Sequence, residues 1–342
     1  MARIGIKDVA RRAGVSPATV SLVLNGRTGT RITEATRDRV RQAASDLGYA
    51  PNSLARSLRT KRTRTVGLLT DQIATTPFAV AMVKAAHEAA RERGYLLFQL
   101  ETEDDRETER QALDLLLQQQ VAGVVYAFMH HRVVDPPEKL PPGTVFLDAR
   151  PRAGGYAAVV PDDRGGARAA TQELIDAGHR RIAFVDDDLQ PVASHLRLAG
   201  YQDALSGAGI PFDGTLHVRD EVSAAGGSSA AAALLDRPDG ERPTAIFCFN
   251  DRMAMGAYRA VRHRGLQIAK DVSIVGYDDQ QYIAADLDPP LTTVALPHYE
   301  MGRWAMETLF AHLDGQGREE PGDPVLMPCP LVRRQSVGPP PG

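Results

Sequence analysis

The feature that most constrains the fold is a change of pattern at Thr65. From there to about residue 313, short apolar runs alternate with amphipathic stretches. The apolar runs lie at 66–69, 96–98, 123–126, 145–147, 157–160, 182–185, 216–218, 245–248 and 273–275, and the amphipathic stretches near 78–93, 105–120, 164–178, 195–208, 227–236, 251–265 and 298–313. Repeated strand–helix units require parallel sheets with helices on both faces. Because so many strands exceed one comfortable sheet, the pattern predicts an α/β body of two doubly wound lobes.

The predicted lobes divide the chain at three crossings, near residues 161, 290 and 324. The N-terminal lobe (N-lobe) is then expected to hold about 65–160 and 292–324. The C-terminal lobe (C-lobe) is expected to hold about 161–291 and 325–337. The last five residues, 338–342, are glycine and proline only, and we expect them to be disordered.

Residues 1–50 follow a different, all-helical pattern. A first helix is indicated by apolar residues at helical spacing and a glycine at its end, namely Ile6, Val9, Ala10, Ala13 and Gly14. Ser16 is a good N-cap for a second helix, with Pro17 at the first helical position. This helix runs to about Leu24, and a third is predicted at 34–47. Two short helices joined by a turn that contains glycine predict a helix-turn-helix head.

The charge of the chain is divided unequally between the head and the body. Residues 1–64 hold 14 lysines and arginines against four acidic residues, whereas residues 65–342 hold 26 against 39. A compact basic head on an acidic body indicates a polyanionic partner for the head alone.

Several classes of protein are disfavoured by what the sequence lacks. No apolar run approaches the roughly 18 residues of a membrane span, and the N-terminus has no signal-peptide core. Cys248 and Cys329 have no metal-ligand spacing, and phosphate-loop, dinucleotide-binding and hydrolase motifs are missing. We therefore expect a cytoplasmic protein that is not an enzyme, with no cofactor, no metal and no membrane partner.

Three other features left alternatives open. Asp148 with Asp278 is also compatible with a glycosidase carboxylate pair, although nothing indicates a tuned acid and base. The run 186–188 is compatible with a cation site but favours a solvated loop, and His130 and His131 favour surface positions.

The helix-turn-helix stretch from Ile6 to Gly26, IKDVARRAGVSPATVSLVLNG, resembles the N-terminal signature of the lactose-repressor (LacI/GalR) family of bacterial transcription factors. The resemblance continues through 32–33, 47–52 and 54–58 and then covers essentially the whole chain. It implies a homodimeric regulator that binds double-stranded DNA at a pseudo-palindromic operator. The most specific expectation is a repressor of carbohydrate-utilisation genes that a small sugar releases. A corepressor-dependent or activating regulator of the same family is the alternative. In a different class, a free sugar-binding protein is disfavoured, because it would carry a secretion signal and no basic head.

The second helix is expected to enter the major groove with its N-terminal residues at the base edges. The resemblance assigns base reading to Pro17, Ala18 and Leu22. Phosphate contacts are expected from four polar side chains, Ser16, Thr19, Ser21 and Asn25, and inward packing from Val15, Val20, Val23 and Leu24. Many family members carry a polar residue where this chain has Leu22. Leucine cannot form a bidentate guanine contact, so we expect an altered operator preference.

Residues 51–64 resemble the family's hinge helix and linker, which join the DNA-binding domain, 1–50, to an effector-binding and dimerisation domain, 65–342. Leu54 and Leu58 share one helical face, and a helix this short is not stable alone. In a dimer, the paired helices would wedge Leu58 into a minor groove, with Arg56 and Arg59 at phosphates or groove edges.

The body resembles the periplasmic sugar-binding fold, in which two lobes close on a ligand. Ligands of such sheets lie outside the carboxyl ends of the strands. This rule and the family pattern together assign effector binding to five residues: Phe78, Asp148, Arg197, Asn250 and Asp278. Carboxylate, amide and guanidinium groups suit vicinal hydroxyls. Asp251 is expected to cap a helix rather than to contact the ligand.

No leucine heptads of the kind that form a tetramer follow residue 337, so we expect a dimer.

Overall fold

The computed structural model describes residues 4–24, 32–49, 63–73, 79–316 and 322–341. It divides into two compact units, Met1–Thr63 and Arg64–Gly342. Some of the predicted site residues lie outside the described residues, namely Asn25, Leu54, Arg56, Leu58, Arg59 and Phe78. No helix in the described part of the chain is long and apolar enough to cross a membrane.

The first unit is the predicted helical head. Its helices are α1 (Ile6–Ala13), α2 (Pro17–Leu24) and α3 (Glu34–Asp46). Gly14 ends α1 at a φ of 66°, a left-handed conformation that glycine adopts without steric cost. The small core consists mostly of valine and alanine: Val9, Ala10, Ala13, Val20, Val23, Val40, Ala43 and Ala44. Val15 and Leu24 pack against it, so the predicted inward face of α2 is confirmed.

The N-lobe is built on a six-stranded sheet. Its strands are β1 (Thr65–Thr70), β2 (Leu96–Glu101), β3 (Val124–Val134), β4 (Val145–Pro151), β5 (Ala157–Pro161) and β11 (Val325–Met327), and its helices are α4 (Val80–Glu92), α5 (Arg106–Gln118) and α10 (His298–Leu313). The strands lie in the order β11-β5-β4-β3-β1-β2 and every pair is parallel. The central strands are buried on both faces, as parallel sheets require.

The C-lobe repeats this architecture. Its strands are β6 (Ile182–Asp187), β7 (His217–Asp220), β8 (Ala245–Cys248), β9 (Ser273–Asp278), β10 (Thr292–Ala295) and β12 (Leu331–Val332), and its helices are α6 (Asp163–Asp176), α7 (Val192–Gly207), α8 (Ala224–Leu235) and α9 (Asp251–His263). The order is β12-β10-β9-β8-β6-β7, with β12 antiparallel to β10. The predicted α/β body with two doubly wound lobes is confirmed.

The lobe boundaries differ from the expectation at two places. β10, expected in the N-lobe, pairs with β9 of the C-lobe, Thr292 opposite Val275. β11, expected in the C-lobe, pairs with β5 of the N-lobe, Val325 opposite Val159. The chain therefore crosses between the lobes after β10 and after β11, not before them. Each of these strands first pairs with a strand, β9 or β5, that would otherwise lack a hydrogen-bonded partner on that side.

The tail prediction was wrong for the residues that the structure describes. Gly338 accepts a hydrogen bond from Ser273 Oγ at 3.1 Å and donates one back from its backbone nitrogen at 3.0 Å. Its carbonyl oxygen also lies 2.9 Å from Nε2 of the buried His179. Buried polar groups require partners, and the tail supplies them.

Candidate functional site

The exposed side of α2 carries the residues predicted to meet DNA. Ser16, Pro17 and Ala18 are exposed, and Thr19, Ser21 and Leu22 are partly exposed. Ser16 is also the helix cap, because its Oγ accepts a hydrogen bond from the backbone nitrogen of Thr19 at 3.1 Å. The helix therefore offers hydroxyl groups beside an apolar tip.

A cleft of about 620 Å³ lies between the two lobes of the body. Four of the predicted effector residues line it, namely Asp148, Arg197, Asn250 and Asp278. Asn250 follows β8 and Asp278 ends β9, as the rule for parallel sheets predicts, whereas Asp148 lies within β4 and Arg197 lies on α7. Its volume is in the range typical of small-molecule sites.

Arg197 is the centre of the cleft's polar network. Its Nε donates to Asp163 Oδ1 at 2.9 Å and its Nη1 to the carbonyl oxygen of Phe249 at 2.6 Å. The guanidinium carbon lies 3.6 Å from the ring centroid of Tyr277 and 4.4 Å from that of Phe249. The side chain is only 5% exposed, so these contacts hold it in one orientation.

Asp163 anchors this arginine and was not predicted. It begins α6 directly after the first lobe crossing, and it also contacts His131 Nδ1 at 3.3 Å. Burial alone would raise the pKa of Asp163, but Arg197 and His131 outweigh it and lower the pKa. The signal in the sequence was an acidic residue next to a predicted crossing.

His131 corrects an expectation, because it is buried and lines the cleft. It lies on β3, which runs to Val134 and is much longer than the predicted 123–126. The extra strand length carries the histidine into the site.

Asp148 is almost completely buried, with 2% of its surface exposed. Its Oδ1 has no hydrogen-bond partner among the described residues. Its φ of 58° is unusual for a residue other than glycine. Burial raises the pKa of Asp148 well above its ordinary value, and the nearby Asp163 raises it further. The described residues therefore offer no hydrogen-bond donor to Asp148 Oδ1.

Asp278 lies at the end of β9 on the other side of the arginine. Its Oδ1 is 3.8 Å from Arg197 Nη1, and its Oδ2 accepts from Gln280 Nε2 at 2.8 Å. Burial raises the pKa of Asp278 to about 6, although Arg197 and Gln280 oppose this shift.

Asn250 has the capping role that was expected of Asp251. Asn250, not Asp251, caps α9, because its Oδ1 accepts from the backbone nitrogen of Met253 at 3.0 Å. Asp251 is buried and accepts from Thr293 Oγ1 and from the backbone nitrogen of Gln280, both at 2.6 Å. It therefore ties α9 to β10 and to the loop after β9.

The acidic run after β6 is not the solvated loop that we expected. Asp186 and Asp187 are buried, and only Asp188 is exposed. Asp186 accepts from Ser194 Oγ at 2.9 Å and lies 2.9 Å from His217 Nε2. Asp187 lines the cleft instead.

Comparison with known proteins matches each of the two units to a known family of domains. Residues 5–52 match the model of bacterial regulatory proteins of the lacI family, and 171–337 match the periplasmic binding protein-like domain. The chain is 36% identical to the ribose operon repressor of Escherichia coli K12 over 308 residues, which are 89% of this chain and 92% of that one.

Solved structures agree with the sequence relatives. The lac repressor dimer bound to operator and the anti-inducer ONPF is 28% identical, with a TM-score of 0.79 over 98% of this chain and 100% of that one. The complex of the transcriptional regulator CelR with cellobiose is 31% identical, with a TM-score of 0.63 over the same shares. The chain therefore belongs to the lacI family of bacterial regulatory proteins.

Proposed function

We propose that the protein represses carbohydrate-utilisation genes and that a small sugar bound between its lobes releases it from its operator. The observation that carries this proposal is the cleft itself. It combines a fixed guanidinium group, Arg197, with a buried carboxyl group, Asp148, that lacks a hydrogen-bond partner. Vicinal hydroxyls of a sugar can accept from the first and donate to the second.

The apolar part of the cleft also suits a sugar. The ring of Phe249 and the side chains of Met129 and Leu296 line the same space as the polar groups. A sugar ring has apolar C–H faces and polar edges, so both kinds of surface find partners. Two relatives support this choice, since one is named for a ribose operon and another binds cellobiose.

The head supplies sequence-specific DNA binding in this proposal. Pro17, Ala18 and Leu22 form an apolar tip on α2 that fits thymine methyl groups, and Ser16, Thr19 and Ser21 hold phosphates. Asn25 and the hinge residues Leu54, Arg56, Leu58 and Arg59 complete the contact set. We assign residues 1–50 to DNA binding, 51–64 to the hinge and 65–342 to effector binding and dimerisation.

A homodimer would place two heads on one pseudo-palindrome. The related lac repressor is a dimer on its operator. In this chain, β2 is an edge strand of the N-lobe sheet, and Leu96 and Phe98 on it are 67% and 42% exposed. An apolar edge of this kind favours pairing with a second copy.

The effector acts in this proposal by moving the lobes. Closure of the cleft would shift the N-lobes of the dimer and separate the two hinge segments, 51–64. Because a helix this short is marginal alone, separation would weaken operator binding. Leu58→Ala is then expected to weaken operator binding while sugar affinity stays nearly intact. Unchanged operator affinity in this variant would remove the hinge from the mechanism.

The proposal also covers the location and the absence of catalysis. A repressor works where the operator DNA is, so we place the protein in the cytoplasm. Its relatives are repressors, and we assign Asp148 and Asp278 to ligand binding rather than to glycoside hydrolysis.

The test is selection of bound sequences from random duplex DNA at near-physiological salt, where nonspecific phosphate binding is suppressed. A recovered palindrome, with binding lost when the cognate sugar is added, supports the proposal. A palindrome recovered only with added sugar indicates a corepressor instead. Binding without any motif, with and without sugars, contradicts sequence-specific repression.

A further inference from the structure

The inner wall of the cleft holds more negative than positive groups. Among the described residues that line it, four carboxyl side chains are buried, and they are Asp148, Asp163, Asp187 and Asp278. One buried guanidinium group, that of Arg197, faces them. At the exposed rim, Asp188 and Glu221 stand against Arg252. Residues 74–78, outside the described part, contain no charged side chain.

The arginine does not neutralise all of these groups, because its contacts are unequal. It is paired with Asp163 at 2.9 Å, whereas Asp278 lies 3.8 Å away. Asp163 also contacts His131 through its other carboxylate oxygen, Oδ2. Asp187 accepts from the backbone nitrogen of Leu189 at 2.8 Å, and Asp278 accepts from Gln280. Of the four, only Asp148 keeps a fully buried oxygen, Oδ1, without a hydrogen-bond partner among the described residues.

Asp148 therefore points to a missing donor independently of the acidic surroundings. Its side chain is buried on the cleft wall, within reach of a ligand that enters the cleft. A buried polar atom without a partner is costly, and natural sites keep one where a ligand completes it.

The titration of the cleft favours a donor that carries positive charge. Burial raises the pKa of Asp148, Asp187 and Asp278, and neighbouring carboxylates add to the shift for Asp148 and Asp187. These carboxyl groups thus resist ionising together. A ligand cation would relieve this resistance, whereas a neutral hydroxyl group would leave the repulsion in place.

Resting on the proposed function, we infer that the effector is a polyhydroxylated amine, an amino sugar or amino polyol, whose ammonium group donates to Asp148. The hydroxyl groups of the ligand then meet Arg197, Asn250 and Asp278. A metal ion is a poorer occupant, because no trio of histidine, cysteine or acidic side chains in the described residues is arranged to hold one.

The experiment compares neutral sugars with the amino derivatives of the same sugars, which carry a positive charge. The full-length dimer on its selected operator is titrated with the common aldopentoses and aldohexoses, with each available 2-amino-2-deoxy derivative, and with the N-acetylated form of that amine. Affinity is measured by calorimetry and release by fluorescence anisotropy of labelled operator. The N-acetyl form keeps the nitrogen but removes its charge.

We expect at least one amine to bind roughly 10- to 100-fold more tightly than its neutral twin and its N-acetyl form. Calorimetry in two buffers of different ionisation enthalpy should show net proton release for the amine, because its binding ionises Asp148. Asp148→Asn should reduce the amine's advantage about tenfold. Asp239→Asn is the matched control, since it removes the same formal charge from a side chain that is 99% exposed.

The outcomes separate the two proposals. If a neutral sugar binds and releases operator as well as its amine does, or better, the inference is overturned and the proposed function stands. If no compound of either class binds, the proposed sugar effector fails and the inference fails with it. An amine preference that survives Asp148→Asn in a folded variant overturns the assignment to Asp148.

Discussion

The two functional surfaces of this chain are built in opposite ways. At α2 the described candidate contact residues are uncharged and are exposed or partly exposed, and the core beneath them is separate from them. In the cleft, the candidate contact residues are buried and mostly charged, and Arg197 and Asp278 belong to one network of ion pairs and hydrogen bonds. Arg197 at once lines the cleft and joins α7 to Asp163 and to the backbone after β8.

Because of this difference, we expect substitutions at the two surfaces to affect binding and stability differently. On α2, a substitution at a candidate contact residue outside the head core is expected to change DNA recognition with little effect on packing. In the cleft, a substitution changes the ligand site and the stability of the body together, because the same groups serve both. The following predictions test this contrast.

Arg197→Ala is expected to give the largest effect. It leaves Asp163 and Asp278 buried without their cation, and such a loss destabilises a protein by about 3–5 kcal/mol. We therefore expect a lower free energy of unfolding for the body and no response to effector, measured by urea unfolding and by operator release.

The matched control is Arg164→Ala. Arg164 forms a two-bond ion pair with Asp203, at 2.6 and 3.0 Å, but both side chains are exposed. Its loss should change stability little, since exposed pairs contribute little. Equal destabilisation by the two variants would contradict the claim that burial makes the Arg197 pair different.

The pH dependence of stability is expected to reveal Asp278. Its folded pKa, about 6, lies above the unfolded value, so its stabilising contribution is present near pH 4 and lost as the pH rises through 6. Asp278→Asn does not titrate there. Between about pH 4 and pH 7 the wild type should lose up to about 3 kcal/mol relative to this variant, measured by urea unfolding across that range.

Asp163→Asn provides the opposite slope. The pKa of Asp163 is lowered, so its contribution is present above the unfolded pKa and lost as the pH falls through the folded one. The variant's deficit relative to the wild type should therefore shrink in acid. Parallel slopes for the two variants would show that Arg197 does not divide the carboxyl groups in this way.

The sequence predicted the parts of the cleft that follow from local order. Asp148, Asn250 and Asp278 each come shortly after an apolar run in the sequence, and parallel strands bring their ends to one edge. Asp163 and His131 could not be found in this way, because the lobe crossing and the full length of β3 place them. The short strands β10, β11 and β12 have two to four residues, too few for a periodic signal, and tertiary pairing defines them.

Leu22→Arg is expected to change operator preference with little effect on stability. Leu22 is partly exposed and does not belong to the head core. An arginine there can form a bidentate guanine contact, which gives about 1–3 kcal/mol of discrimination. Selection from random DNA should recover a guanine at one position of each half-site, and thermal unfolding should shift little. An unchanged consensus would show that Leu22 does not read bases.

Ser16, the N-cap of α2, is a predicted contact residue that also stabilises the head, so it gives the smallest and sharpest test. Ser16→Ala removes the bond to the nitrogen of Thr19 and should cost about 1 kcal/mol, seen as faster hydrogen exchange of α2 amides. Ser45→Ala, on the exposed face of α3, is the control. Ser16→Asp keeps a cap but places negative charge where a phosphate is expected, so operator affinity should fall while α2 stays protected. If operator affinity and the protection of α2 both fall in Ser16→Asp, the cap and the phosphate contact are not separable. Ser16 would then serve stability and binding together, as Arg197 does in the cleft.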